Sequence, residues 1–282
     1  MSIKQSGSPR RRRAILAGLV VVAGPGTIGA AFAAQGPDPV VERGTKVALG
    51  EGHAESYVVR DESGRVTEIG VTLTEGALRG LPEGTGHSHG RAVVQPDGNV
   101  THEHVLELPE GHGTPFQHLV VNWNPGGHEP PGIYDLPHFD VHFYTPTLAE
   151  RLAMTPDTDP RFEEKSERLP VDELVPAGYV MPQLLPFPQM GLHWVDPTSP
   201  ELNGAVFTHT FIVGSWDGGF HFWEPMVTKA FLESRQNVAA PVALPRRAVR
   251  AGDYPTGYAI RWIESERAWR IALTDLMAVP GA

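Results

Sequence analysis

Residues 136–146 read LPHFDVHFYTP, in which Phe139, Val141 and Phe143 alternate with His138, Asp140, His142 and Tyr144. A period of two marks a β-strand with two unlike faces. One face here is apolar, and the other carries groups that bind metals or move protons. Weaker alternation recurs along the chain. GTKVALG, ESYVVR and RVTEIGVTLT read as strands, the last two joined by a turn at Asp61–Gly64. PFQHLVVNW (115–123) reads as a second central strand, set apart from 137–144 by the Pro/Gly-rich loop WNPGGHEPPGIYDLP. AVFTHTFIVGSW and GGFHFWEP predict a hairpin around Asp217-Gly218-Gly219. In its second arm, alternation puts Phe220, Phe222 and Glu224 on one side and His221 and Trp223 on the other. YAIRWIESERAWRIALTDL predicts a last hairpin, turning near Ser265-Glu266.

Helical patterns are short. TPTLAERLAM and DPRFEEKSERLP each open near a Pro or Asp, and PMVTKAFLESRQ has helical character; ALRGLP at 77–82 is a turn or corner. Residues 170–200 are Pro-rich and read as irregular. No 20–50-residue repeat and no dividing linker stands out. With 31 Gly and 27 Pro in 282 residues, turns and short strands outweigh helices. The expectation is a mainly-β chain, with residues 34–282 as a single antiparallel barrel or sandwich domain carrying a few short peripheral helices.

The N-terminus departs from this pattern. Arg10–Arg13 precede AILAGLVVVAGPGTIGAAFAA, an order of basic, apolar and small residues that reads as an export signal over residues 1–33. Arg12-Arg13-Ala14-Ile15-Leu16 fits the twin-arginine pattern. Export to the periplasm, cell envelope or exterior is therefore expected, with no stable membrane insertion after cleavage, since no later apolar run approaches the ~18 residues of a spanning helix. Cleavage would remove five bases and no acid, leaving 18 Lys and Arg against 33 Asp and Glu, a formal charge of −15. So acidic a surface disfavours nucleic acid and suits cations. Subunit number stays open, and a homo-oligomer is compatible with the sequence.

The chain has no cysteine, which removes disulfides, thiolate zinc sites, iron–sulfur clusters and a Cys nucleophile. A metal must sit on imidazole and carboxylate. In a strand, alternate residues lie about 6.6 Å apart, so His138 and His142 stand about 13 Å apart. Sharing one ion with bonds of about 2 Å is then difficult. A bulge could bring them together, one could support the other, or each could belong to its own site. Further ligands would come from His128 in GGHEP, His193 in GLHW and Glu224 in FWEP. Glu129 or Asp140 would serve as base or ligand-orienting group, and Tyr144 as a donor to developing charge. A second set, His87 and His89 in GHSHG with His102 and His104 in THEHV, lies in a His-rich insertion near 84–113 and reads as flexible, with a labile secondary metal site. GxSxG, Walker, dinucleotide and HExxH motifs are absent, and Pro130 forbids a zincin helix at His128-Glu129.

NWNPGGHEPPGIYDLPHFDVHFY, then MGLHWVDPTSPEL, then FWEPMVTKAFLES resemble a family of uncharacterised exported bacterial proteins. Its signature is WNPxGHEPxGxYxxPHFDxHFY followed by GxHWxDP and EPM. The resemblance spans roughly residues 44–236, departing at 84–113 and not reaching the C-terminal hairpin. It implies a site at His128, Glu129, His138, Asp140, His142, His193 and Glu224, and no particular reaction. From the residues, the first expectation is a mononuclear metal-dependent hydrolase or lyase acting on a small molecule, holding Zn or else Fe, Mn or Cu. The alternatives are a non-enzymatic envelope protein that binds metal or ligand, and a structural His/Asp network.

Overall fold

The computed structural model describes residues 40–86, 89–95, 98–183 and 185–282. The expected export signal lies outside them, and so does His87. Two antiparallel sheets account for the fold. The first has six strands: β1 (Val40–Leu49), β2 (Gly52–Arg60), β3 (Val66–Thr74), β13 (Ala268–Val279), β12 (Gly252–Ile263) and β11 (Val238–Pro241), adjacent in that order. The second has seven, in the order β4 (Arg91–Val94), β5 (Val100–Glu107), β6 (His118–Asn124), β7 (His138–Tyr144), β10 (Gly219–Thr228), β9 (His209–Trp216) and β8 (Leu192–Val195). Neither sheet closes on itself, so the fold is a sandwich and not a closed barrel.

Alternation builds the sandwich. Val58, Ile69, Val71, Ile260 and Ile271 from the first sheet share one buried core with Leu119, Val121, Phe139, Val141, Phe143, Val213 and Trp223 from the second. Residues between these point the other way. In the second sheet that outer face is also buried: all seven residues of β7 are buried. Among the described residues, three short helices lie outside the sheets: α1 (Leu148–Leu152), α2 (Phe162–Glu167) and α3 (Lys229–Glu233). In α1, Thr147 and Glu150 form a reciprocal capping box. Among the described residues, no helix is long and apolar enough to cross a membrane.

Four expectations need correction. Within the His-rich stretch, 91–94 and 100–107 are ladder strands of the second sheet and not parts of a loose insertion. Trp194 donates to Ser215 Oγ at 2.8 Å and anchors β8 inside the segment read as irregular. The helix expected over 225–236 shrinks to five residues, because Pro225–Thr228 extend β10 with their side chains buried. Finally, a register shift between Phe220 and Phe222 breaks the strict alternation of β10. Phe220 joins Trp223 in the main core, while Phe222 packs with Val120 and Tyr144 on the outer face.

Candidate metal centre

Strand register decides which side chains meet. Asp140 stands opposite Asn122 of β6 and Met226 of β10, and His138 opposite Asn124 and Thr228. Trp223 pairs with Phe143 and Met226 with Asp140, which puts Glu224 level with His142. The outer face of the second sheet thus gathers His138, Asp140, His142, Glu224, Asn122 and Asn124 near its middle. The ligand-type groups fall into two sets, each with two imidazoles and one carboxylate.

The first set is His128, His138 and Asp140, whose ligand atoms all lie within 4.8 Å of one another. Gly127 makes the approach of His128 possible. It has φ +72°, and a Cβ there would sit 2.2 Å from the Tyr134 carbonyl oxygen. That same carbonyl accepts the His128 backbone N–H at 3.1 Å. The two rings are 4.6 Å apart, edge to face. Nδ1 of His128 lies 2.7 Å from the Glu129 carbonyl oxygen, and Nδ1 of His138 lies 2.6 Å from that of Leu136. Each Nδ1 therefore carries a proton, so that a neutral ring here presents its lone pair on Nε2. Those Nε2 atoms face the Asp140 carboxylate at 3.4 and 3.1 Å. Asn124 donates to Asp140 Oδ2 at 2.6 Å.

The second set is His142, His193 and Glu224. His142 Nε2 lies 3.3 Å from Glu224 Oε1. His142 and Glu224 are buried, while His193 is partly exposed. Among the described residues, neither nitrogen of His142 and neither Glu224 Oε2 nor His193 Nδ1 finds a hydrogen-bond partner.

Both sets line one cavity of about 290 Å³, through His128 and Asp140 of the first and all three residues of the second. Glu129, Asn122 and Gln95 add polar groups to its wall. Ile133, Leu185, Phe187, Met190, Leu202 and Met226 make most of the rest apolar. Burial pushes the Asp140 carboxyl up, but positive charge beside it, on the His138 and His128 rings or on a cation held between them, outweighs burial and holds it well below the usual carboxylate range. Burial, reinforced by Asp140, raises the Glu224 carboxyl well above its ordinary value. Burial also keeps His142 well below the imidazole range and His193 at about 3, so both rings are neutral with a lone pair to offer.

Tyr144 is not among the groups lining the cavity. Its ring is stacked between His118, at 5.0 Å, and His142, at 5.4 Å. The Arg151 guanidinium lies 4.8 Å from its ring centre. That corrects its expected place beside a substrate: it is a wall behind His142. Arg151 is itself buried, with Nη2 2.7 Å from Glu103 Oε1. Of the expected secondary site, His87 lies outside the described residues, and His89, His102 and His104 form no metal-holding group among those described. His89 is exposed, while His102 and His104 are buried, stand in register with Trp123 and Val121, and so face the core. His102 Nε2 is 2.8 Å from the Gly84 carbonyl oxygen.

Three contributors escaped the sequence reading. Asn122 and Asn124 had a signal: two asparagines flanking a tryptophan inside a strand, where Asn is disfavoured. Gly214 had none. A Cβ there would fall 1.8 Å from the Phe222 ring, so its absence lets that ring lie over β9 and meet both His193, at 5.4 Å, and His142, at 4.9 Å.

Comparison with known proteins adds one match. The model of the TTHB210-like family, described as hypothetical protein TTHB210, matches residues 61–123. That segment runs from the β2–β3 turn to Trp123 of β6 and stops short of both ligand sets. No curated protein and no solved structure matches the chain.

Proposed function

We propose that this protein binds a divalent transition-metal ion at His128, His138 and Asp140 and presents it to a small molecule in the adjoining cavity. The observation that carries the reading is the pair of imidazoles locked by backbone carbonyls, with both Nε2 atoms turned on one carboxylate. Lone pairs facing a carboxylate repel unless a cation lies between them. Protonating both rings would set two imidazolium ions 4.6 Å apart, largely screened from water. A metal resolves the conflict, and imidazole ligands that donate their other N–H to a carbonyl are the usual supporting arrangement. Two imidazoles and a carboxylate suit Zn, with Fe, Mn or Cu as alternatives.

Bound there, an ion would supply Lewis acidity and lower the pKa of water. The chain's own contribution is position. Asn124 orients Asp140, and Glu129 stands on the cavity wall as the acceptor for a water proton. The apolar lining favours a substrate that is mainly hydrocarbon with one oxygen-bearing group. We infer hydrolysis or a lyase-type proton transfer in an exported protein. The apolar lining also supports a second reading, a non-catalytic binder of metal and ligand.

The test is elemental analysis of untagged protein purified without chelator. Tightly held ion in the native chain that is lost in His138→Ala supports the proposal. Metal-free protein of unchanged melting temperature, with no thermal shift on adding Zn²⁺, Fe²⁺, Mn²⁺ or Cu²⁺, rules it out.

A further inference from the structure

The first ligand set accounts for His138 and Asp140 but leaves His142, the next residue on the same face of β7, unexplained. We propose that His142, His193 and Glu224 hold a second divalent ion, so that one cavity contains a two-ion centre. The inference rests on the reading of the first set as a metal site.

The second set has to be built against the geometry of the sheet. His193 on β8 and His142 on β7 are separated by β9 and β10, three strand spacings or about 14 Å in a flat sheet. Yet one ligand atom from each of His142, His193 and Glu224 falls within 4.8 Å of the others. Two local features bring them together. The register shift in β10 between Phe220 and Phe222 bends that strand just before Glu224. Gly214, paired with both His193 and Phe222, opens a hollow that the Phe222 ring fills. The ring then packs against both imidazoles.

No hydrogen bond among the described residues explains the result. His142 is 1% exposed and Glu224 2%. Among the described residues both nitrogens of His142 and one oxygen of Glu224 lack a partner. A buried polar atom left without a partner is costly, and ligand atoms of His142, His193 and Glu224 gathered within 4.8 Å on a cavity wall call for a ligand. One ion would take one nitrogen from His142, one from His193 and the Glu224 carboxylate together, because two imidazoles and a carboxylate are the protein donor set of a metal site that keeps a coordination position open. Asp140 and His142 are about 6.6 Å apart along the strand, so ions in the two sets would face the same substrate from neighbouring points.

The experiment is a count of ions per chain by elemental analysis after dialysis, on the full-length protein, with Zn²⁺ as the added metal. Two per chain are expected, falling to one in Glu224→Gln and to one in His138→Ala. Glu224→Gln keeps the size of the side chain, and His193→Asn at the partly exposed position provides an independent variant; melting curves confirm that each is folded. One ion per chain, lost in His138→Ala and untouched by Glu224→Gln and His193→Asn, overturns the second site and leaves the first reading standing. An absence of ion in the native protein overturns both.

Discussion

Strands β5 and β7 both carry polar, metal-competent residues at alternate positions, and they use them in opposite ways. In β5, His102 and His104 share a face with Trp123 and Val121, so they look into the sandwich. One bonds the Gly84 carbonyl and the other the Ala48 backbone. In β7, His138, Asp140 and His142 look outward, beneath loops that leave a cavity above them. Spacing identifies a face. What that face meets depends on the register of neighbouring strands and on what the loops lay over it, neither of which is local to the motif.

The sharpest way to break this contrast is metal content. In His138→Ala, affinity at the first set falls by more than about a hundredfold, beyond the 10–100-fold typical of losing a group that merely orients a ligand. His102→Ala and His104→Ala leave it unchanged. Dialysis against graded chelator measures both, and equal losses in the two strands would erase the distinction.

Acid stability tests the β5 side. Burial, then the neighbouring His102, holds His104 at about 4, against about 6.5 in an unfolded chain. The unfolded state therefore binds the proton first. The stability tied to a neutral His104 is fully present above pH ~6.5 and is lost as pH falls towards ~4, on the order of 3 kcal/mol for a shift of this size. Chemical denaturation at pH 7 and pH 4.5 reads it: His104→Leu loses less stability between the two than the native chain does. An identical loss would mean that the histidine is solvated after all.

A smaller effect is expected at Asn124, whose amide holds Asp140 Oδ2 at 2.6 Å. Asn124→Ala weakens ion binding at the first set by about 10–100-fold, leaving the ion at Glu224 in place. Isothermal titration with Zn²⁺ resolves the two, and a variant that binds like the native protein would show that Asp140 needs no such support.

Much of the architecture was legible because alternation is written into the letters. HLVVNW, HFDVHFY and the C-terminal pair all declare their strands, and the sandwich follows. The site was half legible. His128, His138, Asp140, His142, His193 and Glu224 could be named, and the 13 Å separation of the two strand histidines raised the possibility of separate sites. The division into sets could not be read, because it depends on the register that brings Glu224 level with His142 and on a hollow at Gly214. Tyr144 misled for a related reason: it shares the polar face of β7, but His118 and Arg151 close over it. Arg151 gave no warning, since a short helix pattern cannot reveal a buried ion pair.

The place of β7 in the sheet has a consequence for measurement. Its backbone is paired on one side with β6 and on the other with β10, so its amides are sealed from both directions. In such a strand, deuterium uptake proceeds through opening of the whole fold and not through local fraying. Occupancy of the cavity would then register as slower uptake across the entire second sheet. A chelator would speed uptake as far away as β5, at histidines that never touch the ion.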